Sequence, residues 1–98
     1  MDIINNEENG VMSVFLIGRL DSVTAPKLEQ LFNDFNEQYK EIVFDFSELE
    51  YVSSAGLRVI LLMQKKMNEI GKMTIKNVKD SIMEIFEMTG FADILNIE

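Results

Sequence analysis

Two serines stand side by side in Tyr51-Val52-Ser53-Ser54-Ala55-Gly56-Leu57, where an apolar strand pattern gives way to a helical one. Unpaired backbone N–H groups and the positive end of a helix dipole favour an anion at such a place, so phosphate on either hydroxyl is locally tolerated. The same position suits an ordinary N-cap, because a serine oxygen accepts from an N–H two or three residues further on. A helix needs only one N-cap, however, and here two hydroxyls precede a helix whose first turns are otherwise apolar. A second group, Asp21, Ser22 and Thr24, lies where the first long strand ends. Strand ends that lead into helices collect along one edge of a parallel sheet, in the crevice where such folds bind partners. That places Asp21 near the serine turn, although a plain turn-capping role fits it as well. Asp45, inside an apolar strand, needs a partner or a solvated strand end. It reads as a structural hydrogen-bond acceptor, with a catalytic acid as the alternative.

The chemistry available to these residues is limited by what the chain lacks. It has no histidine, and so neither the commonest general base near neutral pH nor the commonest transition-metal ligand. It has no cysteine, so disulfides, iron–sulfur clusters and thiolate-bound metals are not expected. Neither GxxxxGK[ST] nor GxGxxG occurs, and no cofactor is expected. A nucleophilic Ser54 assisted by Asp21 or Asp45 is the remaining enzymatic reading, and no lysine is evidently placed to activate it. Nine Lys and Arg against 17 Asp and Glu give a net charge of −8, which repels phosphate backbones and anionic lipid heads. Nucleic acid and membranes are therefore not expected partners; the charge reads as solubility or as an acidic patch for a basic partner. There is no basic-plus-apolar leader pattern and no apolar run approaching ~18 residues, so a soluble cytoplasmic protein is expected.

Closely spaced secondary-structure signals over 98 residues, 47% of them hydrophobic, predict one α/β domain spanning residues 1–98. A short strand around Ile3-Ile4-Asn5 is followed by Asn9-Gly10, the strongest short hairpin signal. Val11 to Ile17 is nearly continuous in apolar residues, the pattern of a strand covered on both faces, and Gly18 to Asp21 ends it. Ser22 to Pro26 carries a hydroxyl for capping and a proline for the first turn of a helix. Leu28, Leu31, Phe32, Phe35 and Tyr39 make its buried stripe, with Glu29, Gln30, Asn33, Asp34, Glu37 and Gln38 between them. Ile42 to Phe46 is a second strand, with Ser47 to Glu50 as a loop. Ser53 or Ser54 opens the next helix, apolar almost all round from Leu57 to Met63 apart from Arg58. Its second half, with Gln64, Lys65, Lys66, Asn68, Glu69 and Lys72, is expected to be exposed. Basic residues gather toward its C-terminus, and Gly71 stops it. Met73 to Val78 alternates as a less buried strand, and Asp80 or Ser81 caps a short helix with Ile82, Ile85 and Phe86 inward. Gly90 ends that helix, and Ile94, Leu95 and Ile97 suggest a last short strand. Met63, Met67, Met83 and Met88 read as core filling, with one or two left for a partner interface. The order predicts a small mixed sheet, with an N-terminal antiparallel hairpin and parallel crossovers, packed with about three helices.

Four segments carry a resemblance. Gly18-Arg19-Leu20-Asp21, Val43-Phe44-Asp45-Phe46-Ser47, Ser53-Ser54-Ala55-Gly56-Leu57-Arg58-Val59 and Met88-Thr89-Gly90-Phe91 resemble, in order and at the expected spacings, the STAS domain of bacterial anti-sigma-factor antagonists. The similarity covers nearly the whole chain, and the serine segment is its most specific part.

The resemblance implies a partner-switching regulator. An unmodified antagonist binds an anti-sigma factor that is also a serine kinase, which frees the sigma factor. The kinase phosphorylates the antagonist at the start of this helix, the complex separates, and a metal-dependent serine phosphatase reverses the step. Matched to the family pattern Asp-Ser-Ser/Thr-Gly-Leu-Gly, the modified serine is Ser54, with Ser53 as second choice. Asp21, Ser22, Thr24, Ser53, Ala55, Gly56, Leu57 and Arg58 are implied to face the partner. Three positions depart from the pattern. Ser53 replaces the aspartate, Ala55 the second hydroxyl, and Arg58 the last glycine. Arg58 lies one turn beyond Ser54, within reach of a phosphate, where it would either offset the charge or help read it. Many relatives carry a further C-terminal helix after the position of Phe91; a minimal domain, or a partner covering the gap, is expected here. A stand-alone STAS subunit of another complex, in lipid transport or other signalling, and a plain structural module are the other readings. Oligomeric state is left open.

Overall fold

A computed structural model describes residues 1–34 and 39–98. Strands β1 (Asp2–Glu8) and β2 (Val11–Leu20) form a hairpin, followed by helix α1 (Ala25–Asn33) and strand β3 (Glu41–Val52). Helix α2 (Ser54–Ile70), strand β4 (Lys72–Lys76), helix α3 (Asp80–Thr89) and a 3₁₀ turn at Phe91–Asp93 complete the chain. The sheet order is β1-β2-β3-β4, antiparallel between β1 and β2 and parallel thereafter. This is the mixed sheet with three helices that the element order predicts. Asn9 and Gly10 have φ of 54° and 81°, the paired positive values that a type I′ hairpin turn demands.

Strands are added in one direction, β2 to β3 to β4, and right-handed crossovers then lay α1 and α2 on the same face. Met12, Val14 and Leu16 on β2 and Ile42, Phe44 and Phe46 on β3 are buried beneath them. The opposite face stays open, with Ser13 exposed and Phe15, Ile17 and Val43 half-buried. The expectation that β2 is covered on both faces is thus corrected. Its apolar run reflects a half-solvated outer face rather than a second helical layer.

β3 does not stop at Phe46. It runs to Val52, and Ser47–Glu50 is strand, not loop. Phe15 pairs with Asp45 but Ile17 with Glu48, and Gly18 pairs with Leu49 but Arg19 with Tyr51. Two extra residues on β3 are therefore taken up as bulges, which shift the inward face from Phe44 and Phe46 to Leu49 and Val52. The period-two pattern breaks at each bulge, so the segment reads as irregular.

The helices differ from expectation in detail. α1 ends at Asn33, so Tyr39 lies outside it; Phe35, Glu37 and Gln38 fall outside the described residues. Thr24 is its N-cap with no side-chain cap bond, because its hydroxyl is used elsewhere. α2 carries no basic residue in its last turn, and Lys72 belongs to β4. Lys79, not Asp80 or Ser81, is the N-cap of α3, with Asp80 in the first turn where negative charge suits the dipole. Gly90, at φ 81°, ends α3 as expected.

Gln64 is only 2% exposed, against the solvent position expected for it. Its Oε1 accepts from the Asn96 backbone N–H (3.2 Å) and its Nε2 donates to Asn68 Oδ1 (3.0 Å), while Asn96 Nδ2 donates to Thr74 Oγ1 (3.2 Å). These bonds satisfy polar groups that burial would otherwise penalise. They hold the C-terminal segment against α2 and β4, and Ile97 makes a single parallel bridge to Ile75 in place of a full strand. β4 is correspondingly more buried than its alternation implies, with Met73, Thr74 and Ile75 all inaccessible. Met63 and Met67 fill the core, whereas Met88 is 81% exposed.

Candidate functional site

The serine turn is built by the joint ends of β2 and β3. Leu20 and Val52 are register partners, both buried, and the Ser53 N–H donates to the Leu20 carbonyl at 2.9 Å. This bond continues the sheet ladder for one residue beyond Val52 and sets the point where the chain turns into α2. Gly56 in the first turn of α2 packs against Leu20, where a side chain would collide. The helix start is thereby seated on the β2 terminus, and the Asp21–Thr24 loop follows directly from it.

The two serines have different tasks. Ser53 is extended (φ −89°, ψ 175°), half-buried, and its Oγ accepts from the Gly56 N–H at 3.3 Å, as an N-cap does. Ser54 is the first residue of α2 and exposed, and its hydroxyl has no hydrogen-bond partner among the described residues. No side chain among them is bonded to it to act as a base, so the geometry of an activated nucleophile is not present there.

The neighbouring loop is organised by Asp21. Its Oδ1 accepts from the N–H groups of Val23 (3.0 Å) and Thr24 (3.1 Å), and Arg19 Nε lies 3.9 Å from Oδ2. Thr24 is buried; its hydroxyl donates to the Arg19 carbonyl (2.7 Å) and accepts from the Asp21 N–H (2.8 Å). The Asp21 carboxyl is held below the usual carboxylate range, chiefly by the Thr24 N–H and then the Val23 N–H. Slight desolvation opposes them, and the Thr24 hydroxyl and Arg19 assist. Asp21 is thus an ionised loop organiser at neutral pH.

Of the residues expected at the partner face, Ser22, Ser54 and Arg58 are exposed, and Asp21, Ser53 and Ala55 are half-buried. Gly56, Leu57 and Thr24 are buried, so they act from below by positioning what is exposed. Two features escaped the sequence reading. Val23 is 74% exposed in the same loop, detectable only as one apolar residue among polar ones. Arg19 lies over the Tyr51 ring at 4.3 Å from its centroid, a cation–π contact set up by their cross-strand pairing.

Asp45 stands apart from this edge. Its Oδ1 accepts from the Ser47 N–H (2.8 Å) and its Oδ2 from Asn77 Nδ2 (3.2 Å). Desolvation, the largest single influence, raises its pKa, but the Ser47 N–H and side chain, Asn77 and Lys76 together lower it on balance. It serves as a structural acceptor at the first β3 bulge. Among the described residues no group of carboxylates is placed to hold a metal, and no helix is long and apolar enough to cross a membrane.

The STAS domain family profile matches residues 2–98. BtrV of Bordetella bronchiseptica, described as an anti-sigma factor antagonist, is 31% identical over 99 residues, covering 99% of this chain and 85% of that protein. Among solved structures, an anti-sigma factor antagonist from Mycobacterium paratuberculosis superposes with a TM-score of 0.86 at 23% identity, covering 98% of this chain and 83% of its own. The Bacillus cell fate determinant SpoIIAA in its phosphorylated form superposes with a TM-score of 0.78 at 15% identity, covering 99% and 91%. These two likenesses establish a shared fold.

Proposed function

The chain belongs to the STAS domain family, among the anti-sigma-factor antagonists, and on that premise we propose that it works by partner switching through Ser54. Residues 1–98 act as one unit. Unmodified, it binds an anti-sigma factor that is also a serine kinase, and the sigma factor is released. The kinase then transfers the γ-phosphoryl group of ATP to the Ser54 oxygen; ADP leaves, the hydroxyl proton passes to the kinase, and the complex separates. A serine phosphatase restores the binding form.

The division of labour between the two serines carries this reading. Ser53 is committed to the cap through the Gly56 N–H, whereas the Ser54 hydroxyl is exposed and uncommitted. Phosphate there adds roughly −1.5 to −2 charge at a helix N-terminus, where it need not disturb the fold. Its effect is felt across the interface instead. Burying a phosphate against a partner that offers it no counter-charge costs several kcal/mol, on the order of a broken buried ion pair. The existing net charge of −8 makes any acidic partner surface still less compatible.

The test is to incubate the protein with ATP and a purified ATPase-type anti-sigma factor kinase from the same organism, to map the phosphate by mass spectrometry, and to measure binding to that kinase before and after. Phosphate on Ser54 with loss of binding is expected. Phosphate on Ser53, or none at all, overturns the assignment.

A further inference from the structure

Ser54 and Arg58 are both exposed and stand four residues apart on α2, so they are vertical neighbours on its solvent side. Long side chains on a helix lean back toward its N-terminus, over the preceding turn, which directs the Arg58 guanidinium toward Ser54. Among the described residues nothing else claims that guanidinium. The positions three and four residues from it on α2 are Ser54, Ala55, Leu61 and Leu62, none of them acidic. Asp21 in the adjoining loop is engaged by Val23, Thr24 and Arg19. Glu29 on α1, the helix packed against α2, makes no ion pair with it.

We propose that Arg58 reads the Ser54 phosphate in cis: phosphoryl group and guanidinium close an ion pair across the first turn of α2, which also withdraws Arg58 from the surface offered to the partner. The inference rests on Ser54 being the modified residue. Order along the helix favours the pair, since a negative group N-terminal to a cation at this spacing agrees with the dipole. The planar fork of arginine matches two phosphate oxygens, which a lysine cannot do. Modification then does two things at once, adding a dianion and removing an exposed cation. Leu62, 45% exposed one turn further along the same side, stays where it was, so the change in the docking face is one of charge rather than shape.

The experiment uses the full chain with phosphoserine installed at position 54 during translation, which needs no kinase. Phosphorus NMR titration of the second phosphate ionisation is compared between the wild-type background, Arg58→Ala and Arg58→Lys. The helix terminus acts equally in all three, so differences isolate residue 58. The phosphate pKa is expected to be lower with Arg58 than in Arg58→Ala by roughly half a unit, the size of a well-oriented surface pair. Arg58→Lys is expected to lie between them, and the gap to shrink in high salt. Superimposable curves for arginine and alanine overturn the proposal. Should the same phosphorylated protein still bind the anti-sigma factor, the partner-switching reading fails while the ion pair is judged by the titration alone.

Discussion

Gly56 lies so close to Leu20 that a Cβ on it would sit 2.8 Å from both Leu20 Cγ and the Leu20 carbonyl oxygen. This contact seats the first turn of α2 on the end of β2 and sets how Ser54 is presented beside the Asp21 loop. Gly56→Ala sets two effects against each other. Alanine gains about 1 kcal/mol of helix propensity, but the overlap involves backbone as well as a buried side chain and costs about 1–3 kcal/mol. The clash is expected to win. Urea unfolding is expected to show a net loss of up to about 2 kcal/mol, and a gain in stability would mean that the seat is looser than the contact implies.

Ser53 and Ser54 separate by their effects on stability. Ser53→Ala removes the cap to the Gly56 N–H and is expected to cost about 0.5–1 kcal/mol, at the low end for N-caps because the bond is 3.3 Å long. Ser54→Ala removes no bond and is expected to stay within about 0.5 kcal/mol of wild type. Thermal melts of the two variants check both, and equal losses would contradict the division of labour.

Asp21 makes stability depend on pH in acid. Its folded pKa is depressed, so the unfolded chain binds a proton first as pH falls, and stability drops below the ordinary aspartate pKa of about 3.9. The contribution is fully present above that value and gone once pH passes below the folded pKa. Asp21→Asn does not titrate. The melting-temperature difference in favour of wild type is expected to be steady near neutrality and to narrow below about pH 4. A difference unchanged to pH 2 would remove Asp21 as the loop organiser.

Gln64 ties the C-terminal segment to α2. Gln64→Met keeps the volume but strands the Asn96 N–H, and losing a buried partner costs about 1–3 kcal/mol. Because the lost bond is local, hydrogen exchange at the Asn96 amide is expected to accelerate more than at Ile75 in the sheet. Uniform acceleration would point to global destabilisation instead.

Local chemistry in the sequence is enough to determine the order of elements, the Asn9-Gly10 turn, the start of a helix at the serine pair and the loss of histidine- and cysteine-based catalysis. The first three depend on residues within a few positions of one another, the range over which turn geometry, capping and helical periodicity act, and the last follows from composition alone. The rest depends on contacts between distant segments. Which face of β2 is covered follows from crossovers that all proceed in one direction, and nothing within Val11–Ile17 encodes that. The β3 bulges exist only in register with β2, so Ser47–Glu50 lost its strand signal. Gln64 is buried because Asn96, 32 residues away, comes to rest on it. At the site, two adjacent serines look alike in sequence. Only the fold, by anchoring the Ser53 N–H to Leu20 and turning its hydroxyl back to Gly56, leaves Ser54 facing the solvent.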